Sequence, residues 1–316
     1  MSETTLQTLA VVFPGQGSQS VGMLSDMARQ YPVVQETFSE ASEIVGYDLW
    51  NRVLNGPAEL LNQTACTQPA MLAAGVALWR CWTEVTGLRP AWLAGHSLGE
   101  YTALVCAGVM HFADAVKAVE QRGHAMQNAV PEGVGAMAAI LGLDDEVVVS
   151  VCAQAAEGET VSAVNFNAPG QIVIAGHNGA VERAMALAKQ AGARRAIKLP
   201  VSVPSHSALM RSAGQHFEKV LDSVAMIEPE IPVLHNVDVK RHESVAEIRK
   251  ALTEQLYSPV RWVETVRALY DSGVTTVVEL GPGKVLTGLN KRIEKQMTAI
   301  AVEDPAGLQK ALDALS

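Results

Sequence analysis

The stretch Ala91-Trp92-Leu93-Ala94-Gly95-His96-Ser97-Leu98-Gly99-Glu100 constrains the fold more than any other part of the chain. An apolar, strand-like run leads into Gly-His-Ser-Leu-Gly, and a helix-like run from Glu100 to Val109 follows. This is the strand, turn, helix setting that a G-x-S-x-G nucleophile elbow requires. Gly95 and Gly99 carry no Cβ, so strand and helix can close on each other while Ser97 sits at the apex of a sharp turn with its Oγ exposed. From this stretch alone Ser97 reads either as a nucleophile or as a plain helix-capping serine.

The 316 residues are 48% hydrophobic and 18% charged, which excludes disorder as the main state. They suffice for one large core or for a core with an inserted subdomain. The net charge of -9, with no basic run, argues against a nucleic-acid partner. Met1 to Thr5 lacks the features of a signal peptide, and the apolar segment from Ala70 to Trp79 falls short of the about 20 residues needed to span a bilayer. A cytoplasmic protein with no membrane partner is expected. Cys66, Cys81, Cys106 and Cys152 have no C-x-x-C spacing and lie in apolar surroundings, so they read as buried thiols, and no metal site is expected.

Leu9 to Phe13 reads as a first buried strand, ending in Pro14-Gly15-Gln16-Gly17-Ser18-Gln19-Ser20. A dinucleotide fingerprint would need a third glycine where Ser20 stands. The loop is either a tight turn or, at the carboxyl end of a strand, a source of an oxyanion donor at Gln16. Residues 32–45 and 69–86 have helical periodicity, the second opening on Pro69 in its first turn. Phe112 to Asn128 reads as a helix carrying Arg122 and Met126, and a helical arginine is ordinarily solvated.

From Gly133 the pattern changes to strand 136–143, helix 144–156, strand 161–165, a turn at 167–170, strand 171–175, helix 179–191 and strand 195–201. This β-α-β-β-α-β order is ferredoxin-like and compact enough for an inserted small domain. Ser205 can cap a helix running to Val224, which would put His206 in the first turn, where the helix dipole favours the neutral ring. Ser244 and Glu247 form a capping box for a helix to Leu256, and Ser258-Pro259 then starts another, leaving orphan carbonyls near Gln255 that a histidine Nδ1–H could use. Val274 to Leu280 reads as a strand, followed by a helix whose Lys284, Lys291, Arg292 and Lys295 form a solvated face.

Taken together, Gly15-Gln16-Gly17-Ser18-Gln19, Gly95-His96-Ser97-Leu98-Gly99, Arg122, Pro204-Ser205-His206 and Gln255-Leu256-Tyr257-Ser258-Pro259-Val260 resemble the malonyl-CoA:acyl carrier protein transacylase family of bacterial fatty-acid synthesis. The likeness runs from Phe13 to Gly283 with the motifs in the family's order. It implies an α/β fold: an α/β-hydrolase-like large domain with a mostly parallel sheet over residues 1–130 and 204–316, and the ferredoxin-like insertion over 131–203. It further implies Ser97 as the acylated nucleophile, His206 as its base, the Gln255 backbone carbonyl orienting His206, and N–H groups of Gln16 and Leu98 as the oxyanion hole. Arg122 would receive the malonyl carboxylate, with Met126 lining the same pocket. Asn165, Asn167 and Gln171 would touch the pantetheine arm, while Arg194, Arg195 and Lys198 would greet an acidic carrier protein. The implied partners are malonyl-CoA and holo acyl carrier protein. No cofactor would be bound, because CoA and phosphopantetheine enter as parts of the substrates.

Two other enzyme classes compete. A serine hydrolase or thioesterase would place an aspartate between nucleophile and histidine, yet only Asp114, Asp144 and Asp145 lie there, all at helix or helix-start positions. An acyltransferase for another carboxylated unit, such as methylmalonyl, would use Arg122 in the same way. A non-enzymatic scaffold would leave Ser97, His206 and Arg122 without a common purpose.

Overall fold

A computed structural model describes residues 4–201 and 203–315. Met1 to Glu3 of the signal-peptide reading, and Ser202 in the stretch before His206, lie outside the described residues. The strands are β1 (Thr4–Phe13), β2 (Leu88–Gly95), β3 (Gly135–Leu141), β4 (Val161–Ala168), β5 (Gln171–His177), β6 (Arg195–Lys198), β7 (Val233–Leu234), β8 (Thr276–Leu280) and β9 (Thr298–Val302). They form two sheets. The first, in order β7-β2-β1-β8-β9, is parallel at every pairing, and the second, in order β4-β5-β3-β6, is antiparallel throughout.

β1 is central to the parallel sheet, and its run Leu9 to Phe13 is fully buried, as a strand covered on both faces must be. Its side chains alternate between two cores. Leu9, Val11 and Phe13 join the cluster built by helices Val33–Val45, Thr64–Thr86, Leu98–Cys106 and Phe112–Gln127, while Ala10 and Val12 join the one built by Trp262–Asp271 and Val285–Ile293.

The antiparallel sheet has one face under helices Asp145–Ala155 and Asn178–Gln190, where Ala138, Ile140, Ile172 and Ile174 meet Val148, Val181 and Ala184. The opposite face presents Met137, Val164, Val173 and Ala175. A short parallel bridge stitches the two parts: Phe166 N–H donates to Val260 O (3.0 Å), and Val260 N–H to Val164 O (2.8 Å).

Several local readings give way to long-range bonding. The long helix starts at Thr64, so Pro69 lies inside it and not in its first turn. Asn167 and Ala168 belong to β4, leaving Pro169 and Gly170 as the turn. Ser258-Pro259 does not open a helix, because Val260 is held extended against β4 and the helix begins at Trp262. Nor does Ser205 cap one. His206 N–H is claimed by Leu256 O (3.0 Å), the residue adopts φ +64°, and the helix Arg211–Asp222 starts only after a 3-10 turn at Ala208–Met210.

Candidate active site

One residue, His96, separates Ser97 from the end of β2; Ser97 has φ 51° and ψ -107°, and helix Leu98–Cys106 starts immediately after it. Two contacts make the flanking glycines obligatory. A Cβ on Gly95 would sit 1.9 Å from the Gly99 carbonyl carbon, and one on Gly99 would sit 2.0 Å from Phe13 O. The strained turn is held by tertiary hydrogen bonds. Ser97 N–H donates to Asn236 Oδ1 (2.7 Å), Asn236 Nδ2 donates to Gly95 O (2.7 Å), and Gln255 Nε2 donates to Ser97 O (3.0 Å).

Ser97 Oγ lies 2.8 Å from His206 Nε2, and His206 Nδ1 lies 2.7 Å from the Gln255 backbone oxygen. A carbonyl can only accept, so Nδ1 carries the proton and Nε2 is left bare to accept from the serine hydroxyl. The ring is 3% exposed. Burial first, and then the nearby Arg122 charge, lower its pKa to about 3. Its neutrality thus comes from desolvation and a neighbouring cation, and the helix-dipole explanation fails with the missing first turn.

Arg122 is also buried, at 1% exposure. Its Nη1 donates to Gln68 Oε1 (3.0 Å) and its Nη2 to Gln255 Oε1 (2.8 Å), with Nη2 3.4 Å from Ser97 Oγ and the guanidinium 5.2 Å from the centre of the Tyr101 ring. Both strong partners are neutral amides, and Nε has no partner. A buried cation held by neutral amides, with Nε unsatisfied, retains the capacity to pair with an anion.

These groups open on a cavity of about 740 Å³ lined by Gln16, Ser97, Leu98, Arg122, Met126 and His206. Met137, Asn165 and Leu199 border it from the antiparallel sheet and the strand end beyond it. Leu98 opens the elbow helix, so its N–H is one of the helix's intrinsically unpaired donors. The Asn165 Oδ1 is buried without a partner. Asn167 instead pairs with His96 Nε2 (2.8 Å), whose ring sits 5.6 Å from that of Trp262 and whose pKa is lowered by burial.

The remaining expected positions lie elsewhere. Gln171 accepts from Arg292 and borders a separate cavity of about 460 Å³ with Arg194 and Arg195. Lys198 is engaged by Asn178 Oδ1 (2.6 Å) and Glu182 Oε1 (2.8 Å). Arg292 also donates to Pro169 O (3.0 Å), so it is more than one charge on a solvated helix face. Among the described residues no group of three or more His, Cys, Asp or Glu side chains could hold a metal, and no helix is long and apolar enough to cross a membrane. Burial pushes the Cys81 and Cys152 thiols up to about 12, which keeps them unreactive.

The sequence reading missed Gln68, Asn236 and the side-chain role of Gln255. A signal existed for Asn236: the polar pair His235-Asn236 directly follows the strand Val233–Leu234, at the carboxyl end of a parallel sheet where sites gather. Arg122 likewise stands in line with Ala115, Val119 and Met126, all buried, so the apolar stripe of its helix points it inward.

An acyl transferase domain model matches residues 10–315. The malonyl CoA-acyl carrier protein transacylase of Escherichia coli (strain K12) is 58% identical over 304 residues, covering 96% of this chain and 98% of the relative. The crystal structure of an acyl carrier protein S-malonyltransferase from Vibrio cholerae is 58% identical with a TM-score of 0.94, covering 98% of this chain and 100% of that one. A second solved structure, a type II PKS acyl-carrier protein in complex with its malonyl-transacylase, matches at 56% identity and a TM-score of 0.96, covering 97% of this chain and 99% of that one. With the serine, the histidine and the buried arginine all inside the matched span, the chain belongs to the acyl transferase family, among the malonyl CoA-acyl carrier protein transacylases.

Proposed function

We propose that the chain moves a malonyl group from malonyl-CoA to the phosphopantetheine thiol of holo acyl carrier protein through a malonyl ester on Ser97. The observation that carries this reading is Arg122, buried, held by two amides and 3.4 Å from the nucleophile oxygen. A malonyl group esterified to Ser97 would bring its free carboxylate to the guanidinium, which an acetyl group would leave unpaired. The names of the relatives and the solved complex with a carrier protein support the same substrates.

Each half-reaction balances on His206. Ser97 Oγ attacks the thioester carbonyl as its proton passes to His206 Nε2, and the tetrahedral intermediate expels CoA, whose sulfur takes that proton back. In the second half, the phosphopantetheine thiol gives its proton to His206 Nε2 and attacks the ester, and the proton returns to Ser97 Oγ as the bond breaks. N–H groups of Gln16 and Leu98 would hold the oxyanion in both. No cofactor is required, since CoA and phosphopantetheine arrive as parts of the substrates.

The hydrolase reading is disfavoured because the acceptor behind His206 is the Gln255 peptide oxygen and not a carboxylate. In this account residues 1–130 and 204–316 form an α/β-hydrolase-like catalytic domain, and 131–203 a ferredoxin-like insertion that roofs the cavity. Arg194, Arg195 and Lys198 supply a docking face for an acidic carrier, Asn165 lies along the pantetheine path, Asn167 braces His96 and Gln171 sits with Arg292 at the second cavity, away from that path, and the protein works in the cytoplasm. Incubation with malonyl-CoA and holo acyl carrier protein, following both carrier thioester and free malonate, tests the proposal. Transfer with little malonate is expected; malonate release without transfer would restore the hydrolase reading.

A further inference from the structure

Behind the cavity lies a buried carboxylate that takes no part in the proton transfers of the proposed reaction. Glu100, 1% exposed and in the first turn of the elbow helix, accepts three hydrogen bonds. His235 Nδ1 lies 2.7 Å from its Oε1, while Asn236 N–H (3.0 Å) and Gln255 Nε2 (2.8 Å) donate to its Oε2. His235 is fully buried and comes, with Asn236, from the end of β7 beside the elbow strand.

The partners of Glu100 are the same groups that hold the reacting residues. Asn236 fixes the Ser97 N–H, and Gln255 fixes the Ser97 carbonyl, so both peptide links of the strained serine are tied back to one carboxylate. Gln255 reaches further, since its Oε1 accepts from Arg122 and its backbone oxygen accepts from His206. A primary amide has two faces. With Nε2 committed to Glu100 and Ser97, Oε1 must point at the guanidinium. Turned over, it would present N–H groups to the arginine. The acid, the charged one of the two acceptors on Nε2, therefore reinforces which way the amide lies, and the amide sets where Arg122 points.

We propose that Glu100, braced by His235, is a positioning residue for acyl selectivity: it locks the Gln255 amide in the orientation that aims Arg122 at the acyl carboxylate. This rests on the malonyl-transfer reading above. Glu100→Gln keeps the shape but weakens the lock: the charge on the acceptor is lost, and the new NH2 group either faces the Asn236 and Gln255 donors or drives the His235 proton onto Nε2, which is buried without a partner. His235→Leu withdraws one brace, and His235→Asn keeps an N–H donor where Nδ1 lies.

The test compares the rates of malonyl and acetyl adduct formation from the two acyl-CoAs, by intact mass, in the parent chain and these three variants. Thermal unfolding is recorded alongside. Glu100→Gln should lower the malonyl-to-acetyl ratio by about tenfold or more, the scale of one charge-assisted hydrogen bond. His235→Leu should lower it less, and His235→Asn should recover part of that loss. Both rates falling together at an unchanged ratio would mean that Glu100 only stabilises the fold, and would overturn the proposal. If Glu100→Gln does not fold, the histidine pair decides: equal ratios in His235→Leu, His235→Asn and the parent chain overturn it as well. A parent chain that takes no malonyl group would instead sink the malonyl-transfer reading itself.

Discussion

The parallel and the antiparallel sheet border one cavity, but they meet it in different ways. On the parallel side each proposed site group is fixed by more than one hydrogen bond: Ser97 through Asn236 and Gln255, His206 through Gln255 and Leu256, Arg122 through Gln68 and Gln255. On the antiparallel side the wall offers mostly apolar or amide side chains, Met137, Asn165 and Leu199, and its ties to the floor include the Val260 bridge and the His96–Asn167 bond. Chemistry needs atoms held to a fraction of an ångström, while a wall that must admit a long thioester arm has to exclude water and supply shape. The difference teaches where precision is concentrated: in side chains at the carboxyl ends of β1, β2 and β7 and in the helices behind them.

Substitutions on the two sides should separate these roles, and the largest effect is expected at the floor. Ser97→Ala should abolish the mass shift that malonyl-CoA produces on the intact protein; an adduct that persisted would place the nucleophile elsewhere. His206→Ala should slow acylation by about 10² to 10⁴-fold, the usual scale of general-base catalysis, as single-turnover mixing would show.

The same histidine gives a pH signature. With its pKa lowered to about 3, it stays a neutral base through the neutral and mildly acid range, so acylation should not titrate near the ordinary value of about 6.5. Stability has the matching sign. The unfolded chain gains a proton below about 6.5 that folded His206 refuses, so stability falls as pH drops from there toward about 3, and His206→Ala should flatten that slope in urea unfolding.

At the wall the effects should be smaller and of another kind. Asn167→Ala removes the partner of the half-buried His96 ring nitrogen and should cost about 0.5 to 1.5 kcal/mol of stability. Its kcat for malonyl loading should stay close to the parent value. A collapse of kcat comparable to that of His206→Ala would erase the distinction between wall and floor.

How much of this the sequence discloses also follows the two regions. The elbow was readable because its rules are local: an apolar strand, two glycines where no Cβ fits, and a helix. The β-α-β-β-α-β order was readable for the same reason, with boundaries a few residues off where β4 ran on through Ala168 and β6 stopped at Lys198. The readings that failed were local signals overruled from a distance. Ser205 and Pro259 look like helix starters, but Leu256 O and Val164 O hold the following backbone extended or turned. Gln68 and the Gln255 side chain are invisible because an amide has no period or spacing, Asn236 shows only through its place after a strand, and only the fold brings residues 68, 122, 236 and 255 together around Ser97.

The central claim is that a buried Arg122, held by two amides, selects the acyl group through its carboxylate. The most direct measurement is the ratio of malonyl to acetyl loading on Ser97 in Arg122→Ala against the parent chain, both acyl-CoAs being followed by intact mass. The account predicts that malonyl loading is largely lost while acetyl loading gains in relative terms, so that the ratio falls steeply. A ratio equal to that of the parent chain would contradict it.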